Sequence, residues 1–223
     1  MSRLKITPLL LILLFFVGWS APATAQHMYK YTGWQKGPWK VHSKEKGGIT
    51  VYTNSKVPTG VDAIRVDVIL PYSAKDMFPI ITDPERARTY SFIEEFEPIA
   101  NYGTWGYLYQ RVSATGIQDR DFTVKLNLFE PEGTNKGPYG WKWVQDNSKG
   151  PKEKDGVVRA TVVAGSYILQ PIENGARTLV SYRLWFDPGT WVPDFLVGSA
   201  LRDGCVETVR RLRSDAEKKF GKR

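Results

Sequence analysis

Hydrophobic positions along this chain change period several times, and each change marks an element. Residues 49–53 form a short β-branched run, and residues 63–70 alternate, with Ile64, Val66, Val68 and Leu70 on one side and Arg65 and Asp67 on the other. The pattern then turns helical. Ser73 followed by Asp76 is a capping start, and Met77, Phe78, Ile80 and Ile81 supply the apolar face. Pro79 should shorten or kink that helix, while Asp83-Pro84 opens a second short one.

From Thr104 the period returns to two, and strands are predicted over 104–114, 121–130, 139–146, 157–170 and 177–186. Turn residues and short loops separate them, as in an antiparallel meander. The last segment predicts one long helix. Pro193 and Asp194 lie in its first turn, Lys218 and Lys219 in its last, and Gly221 beyond it. Its apolar stripe runs through Val197, Leu201, Cys205, Val209, Leu212 and Ala216 and requires a sheet to cover it. Ahead of these elements, residues 26–48 are aromatic but interrupted by Gly33, Gly37, Pro38, Gly47 and Gly48, which predicts an irregular or briefly helical lead-in.

Two strands, two short helices, five strands and a long helix give an α+β fold in which a bent sheet wraps the last helix. A strongly curved sheet cannot close onto one helix along its whole length, so a cavity lined mostly by apolar groups follows from the architecture. Tyr107, Tyr109, Phe122, Val124, Leu128, Trp143, Tyr182 and Leu184 sit on the apolar parity of their strands, where ordinary core residues also sit.

Composition narrows the setting. Arg3 and Lys5, the apolar run from Leu9 to Val17 and Ala23-Thr24-Ala25 read as a secretory leader over residues 1–25, with a single domain over 26–223. An uncleaved anchor is the alternative, but the run is shorter than the roughly 20 residues a spanning helix needs. Export, to the periplasm in a bacterium or to the outside, is the expectation. With one cysteine, the exported chain has no internal disulfide and must be stable by burial. The formal net charge of +8 falls to +6 without Arg3 and Lys5 of the leader, and the excess is spread out, with local clusters at Lys149–Lys154, Arg210–Arg213 and Lys218–Arg223. Those clusters are either a solvated surface or a transient docking face for anionic headgroups. Nucleic acid is not expected as a partner, because the aromatics alternate within strands and are not interleaved with basic residues. A monomer is expected.

Several motifs, in order, resemble a known family: Gly48-Ile49-Thr50-Val51-Tyr52, Asp119-Arg120-Asp121-Phe122, Val158-Arg159-Ala160, Ala164-Gly165-Ser166-Tyr167 with Leu169-Gln170-Pro171, and Arg177 to Tyr182 through Asp187-Pro188-Gly189. Together they resemble the START lipid-transfer family over about residues 34–215. The resemblance implies a helix-grip fold, a tunnel for a sterol, phospholipid or fatty-acid-like molecule, no cofactor and no covalent chemistry. The strand residues named above, with Leu126 and with Val197, Leu201, Cys205 and Val209 of the last helix, would then line the ligand. The sequence departs from the family at Thr89-Tyr90, where many members have Trp-Asp, and at Leu126, where the cavity arginine of the steroid-carrying branch falls. The loop 130–140 resembles the tunnel-mouth loop and is either a lid or an ordinary hairpin connection.

Catalysis has few candidates. His27 and His42 lie in the lead-in with no cysteine or carboxylate at metal-ligand spacing, so neither a metal site nor a histidine base is expected. Cys205 lies on the apolar helix stripe, where a small buried hydrophobe is usual. Arg120 and Asp121 read as a salt bridge or loop-capping pair, or else Arg120 reaches a ligand headgroup. A cyclase-like enzyme and a module that binds a partner's apolar segment stay open as alternatives to a lipid carrier.

Overall fold

The computed structural model describes residues 32–114, 116–131, 137–189, 192 and 194–222. The expected leader, His27 and Pro193 lie outside the described residues, as do residues 132–136 of the 130–140 loop.

Among the described residues, ten strands form one sheet: β1 (Lys40–Glu45), β2 (Ile49–Asn54), β3 (Ala63–Leu70), β4 (Ile93–Asn101), β5 (Trp105–Ala114), β6 (Ile117–Phe129), β7 (Tyr139–Gln145), β8 (Val157–Arg159), β9 (Val162–Ile172) and β10 (Arg177–Asp187). Their order is β1-β2-β3-β10-β9-β7-β6-β5-β4, with the short β8 paired in parallel to β6 and every other pairing antiparallel. The helices are α1 (Ala74–Thr82), α2 (Pro84–Arg88) and α3 (Asp194–Phe220). Among the described residues, none is long and apolar enough to cross a membrane.

Both short helices start where side-chain oxygens replace missing backbone partners. Ser73 Oγ accepts from the Asp76 amide at 3.1 Å, and Asp83 Oδ1 accepts from the Glu85 amide at 2.9 Å. Pro79 stays inside α1, which ends three residues later.

Cross-strand register settles which side chains face the helices. On this concave face stand Ile64, Val66 and Val68 of β3, Val180 and Tyr182 of β10, Tyr167 and Leu169 of β9, Trp141 and Trp143 of β7, and Phe122 and Val124 of β6. Helix α3 rests on β3 and β10 and touches β2. It buries Cys205, Val206, Val209, Leu212 and Ala216 there, and each large aliphatic side chain contributes about 1.5–3 kcal/mol of burial. At its far end the Tyr72 hydroxyl donates to Gly221 O at 2.7 Å. Helix α1 packs on β7, β9 and α3, and α2 on β4.

Four expectations need correction. The lead-in is briefly helical, as a 3-10 turn at Thr32–Lys36, but it goes on to form the strand β1, which no apolar alternation announced. Strand β4 was not expected at all: Glu94, Glu95, Glu97 and Pro98 obscure it at the sheet edge. The single strand expected over 157–170 is broken at Ala160-Thr161 into β8 and β9, because the first part turns to pair with β6 and the second with β7 and β10. That parallel β8 also departs from an all-antiparallel meander.

Tyr107 and Tyr109 do not point to the concave face. In β5 it is Leu108 that joins the core, opposite Val124, so its two neighbours turn outward. The Tyr109 hydroxyl donates to Asp121 Oδ2 at 3.1 Å, and the Tyr107 hydroxyl to Asp146 Oδ2 at 3.2 Å. Aromatic rings satisfied by carboxylates on a convex face carry the same sequence parity signal as core tyrosines.

The convex face has its own small core, formed by Trp34, Ala63, Val162, Ala164 and Trp185, with Trp39 and Val57 packed on it. Trp185 Nε1 donates to Thr59 Oγ1 at 2.9 Å.

Candidate functional site

Because α3 covers the β2–β3–β10 half of the sheet, the helices that pack on the β4–β7 half, among the described residues, are chiefly the two short ones. Between them lies a half-open cleft of about 280 Å3. Strand positions Phe96, Leu108, Leu126, Leu128 and Trp141 form one wall, and Ile81, Pro84 and Ala87 of α1 and α2 form the other. The walls are apolar because each strand contributes its concave parity, α1 contributes Ile81 from its buried stripe, and α2 adds the exposed Pro84 and the half-buried Ala87. A volume of this size falls just below the roughly 300–1,000 Å3 common for small-molecule sites.

Of the residues singled out by sequence, Leu126 and Leu128 line this cleft, and Tyr107 borders it. Phe122, Val124, Trp143, Cys205 and Val209 belong to the adjoining closed core, against which Tyr182, Leu184 and Leu201 are partly buried. Val197 is buried near the start of α3. Tyr182 combines two properties: burial pushes its hydroxyl well above the ordinary tyrosine pKa, yet its side chain keeps some accessible surface.

An aromatic row crosses the concave face. Trp141 and Trp143 have ring centroids 4.8 Å apart, Trp143 and Tyr182 5.7 Å, and Tyr182 and Tyr167 5.1 Å. At its end is a polar group that sequence reasoning missed. Arg86 of α2 donates from Nε to Asp215 Oδ2 at 2.8 Å and from Nη2 to Thr208 O at 3.2 Å, joining α2 to α3. Its guanidinium carbon lies 5.6 Å from the Tyr90 ring centroid. Burial opposes its charge, but Tyr167, Tyr90 and Asp215 outweigh that and raise its pKa. The Tyr167 hydroxyl, pushed up chiefly by burial, lies beside Arg86, and the Tyr90 hydroxyl lies beside Thr208, neither at hydrogen-bond geometry. Trp141 could have been found by parity with Trp143. Arg86 sits in a five-residue helix too short to show a face.

The charged motif residues have structural partners. Asp121, 1% exposed, accepts Arg159 Nε at 2.7 Å and Nη2 at 3.1 Å besides the Tyr109 hydroxyl, all on the convex face. Arg120, 5% exposed, donates instead to main-chain carbonyls: Gln118 O, and Pro188 O at 3.4 Å. It pins the segment that leads into α3, and burial lowers its pKa. Asp121 thus pairs with Arg159 and not with its neighbour. Cys205 is 1% exposed, and burial pushes its thiol far up. Among the described residues, no three His, Cys, Asp or Glu side chains cluster at metal-binding distance.

No family model matches the chain. An uncharacterized protein of Pseudomonas aeruginosa is 26% identical over 188 residues, covering 81% of this chain and 88% of that protein. Among solved structures, human StAR-related lipid transfer protein 5 superposes with a TM-score of 0.72 at 16% identity, covering 89% of this chain and 99% of that one. The STAR-related lipid transfer protein of Xanthomonas axonopodis gives 0.67 at 21% identity, covering 79% and 97%. A START superfamily protein of Mycobacterium smegmatis gives 0.50 at 15% identity, covering 71% and 99%. The curved sheet gripping a C-terminal helix in this chain is the helix-grip fold of the START domains.

Proposed function

We propose that the protein is a START-type carrier that binds one hydrophobic molecule, a lipid, without making or breaking a bond. The observation that carries this reading is the half-open cleft between the short helices and β4–β7, whose walls are apolar while the motif arginines and aspartates are engaged in structural contacts. Burying the ligand's apolar surface supplies roughly 25 cal/mol per Å2 before ordering costs. Tyr182, Leu184 and Leu201 would extend the site inward, and their residual accessibility supports this. The names of the solved proteins that share the fold, lipid transfer proteins from a human and a bacterium, support the ligand class. Residues 1–25 support export, so the carrier would work as a monomer outside the cytoplasm, with basic clusters such as Arg210–Arg213 meeting anionic membrane surfaces.

Native mass spectrometry of protein purified from its own compartment, followed by solvent extraction, tests this reading. A stoichiometric lipid is the expected result. Protein that arrives empty and takes up no sterol, fatty acid or phospholipid from vesicles would overturn it.

A further inference from the structure

Polar groups inside an apolar core are nearly always paired, because an unmade hydrogen bond leaves desolvation uncompensated. The concave face departs from this in a cluster. Among the described residues, the Tyr167 hydroxyl and Trp141 Nε1 are buried with no hydrogen-bond partner. The two residues stand directly opposite each other across β7 and β9, Trp141 lines the cleft, and Tyr167 is 1% exposed. The Tyr90 hydroxyl, at the end of α2, is a third such group. Arg86 stands among them.

The chemistry of these groups is one-sided. Indole Nε1 only donates, and phenols whose pKa burial raises remain donors at any ordinary pH. Arg86 adds more N–H groups, but its charge is already matched by Asp215. The cluster therefore has surplus donors and no surplus charge. An uncharged oxygen satisfies such a site, whereas an anion would bring a second negative charge beside a pair that is already neutral.

We propose that the end of the ligand that enters the cleft first carries an uncharged oxygen, a hydroxyl or carbonyl, and that Tyr167 and Trp141, backed by Tyr90 and Arg86, receive it. The apolar remainder then runs past Leu126 and Leu128. This inference rests on the reading that the cleft takes a hydrophobic molecule.

Three probes of one chain length separate the two ideas: hexadecane, hexadecan-1-ol and palmitate, delivered from cyclodextrin and followed by titration calorimetry. The alcohol is expected to bind about tenfold tighter than the alkane, the worth of one to two buried hydrogen bonds. In Tyr167→Phe that ratio is expected to fall to about two. Because the removed hydroxyl has no partner, this variant should melt at or above the parent temperature, and a lower melting temperature would show the hydroxyl paired and overturn the proposal. Equal affinity for alcohol and alkane, palmitate binding tightest, or a ratio that survives in both Tyr167→Phe and Trp141→Phe would also overturn it. If none of the three binds, the proposal falls, and sterol and phospholipid uptake from vesicles then decides whether the carrier reading falls with it.

Discussion

Gly165 of β9 and Trp143 of β7 are directly opposed in the sheet, and the Trp143 indole occupies the space that a Cβ at Gly165 would need. The same Cβ would press on the carbonyl oxygen of Arg183 in β10, so neither side can yield cheaply. Gly165→Ala is expected to lower stability by about 1–3 kcal/mol, the usual cost of overpacking. Urea unfolding of the variant measures it, and a midpoint equal to the parent's would show that Trp143 moves freely.

Arg86 and Asp215 tie α2 to α3. Asp215→Asn leaves the guanidinium with Thr208 O but without a carboxylate. Since the Asp215 side chain is 33% exposed, the cost is discounted for solvent and is expected at about 1 kcal/mol. Thermal unfolding reads the loss, and Asp215→Glu should restore part of it.

Cys205 lies on the buried stripe of α3, and burial opposes its ionisation. Native protein at pH 8 is expected to resist iodoacetamide for hours, while the same protein in guanidinium reacts at the rate of a free thiol. Fast labelling of the native protein would mean that α3 lifts from β3 and β10.

Acid should weaken the fold through two carboxylates. Glu95 has a lowered pKa because Lys154 donates to it at 2.7 Å, with Arg111 adding to the effect. Burial pushes Asp146 up, but hydrogen bonds from the Ser148 hydroxyl and amide prevail and lower it. A folded-state pKa below the unfolded one contributes stability above the unfolded value, about 4 for such groups, and that contribution disappears as pH falls through the folded value. Urea midpoints are therefore expected to hold steady from pH 7 to 5 and to fall below about pH 4. Lys154→Met should make that fall shallower.

Ala87 places a small side chain on the cleft wall formed by α2. Ala87→Trp is expected to reduce lipid uptake from vesicles at least tenfold by filling the cleft, while circular dichroism stays that of the parent. Uptake equal to the parent's would place the ligand elsewhere.

Legibility in the sequence followed position in the sheet. Central strands β3, β9 and β10 are covered on their concave face, and their alternation gave them away. The two strands without a clear signal, β1 and β4, are the two edges. Most β1 side chains meet water on either side, and β4 spaces its charges and Pro98 among few buried residues, so neither needs a strict period. At the site, Leu126 and Leu128 followed from parity, but Tyr107 and Tyr109 show its limit, since a convex carboxylate can bury a tyrosine as well as a core can. Arg86 and Tyr90 were illegible because their neighbours come from α3, more than a hundred residues away.

The long helix grips only one half of the sheet, and this divides the molecule's stability in two. Opening β3 from α3 means exposing the largest part of the core. Parting α2 from β4 exposes far less, since none of its residues is fully buried, and its main polar restraints are Arg86 on Asp215 and Arg211 on Thr89 O. Local opening with so few contacts lies well below global unfolding in free energy. Amide hydrogens of α2 should accordingly exchange long before those of β3, β9 and β10. A guest could come and go through excursions of this small sector while the rest of the chain stays folded around nothing more than itself.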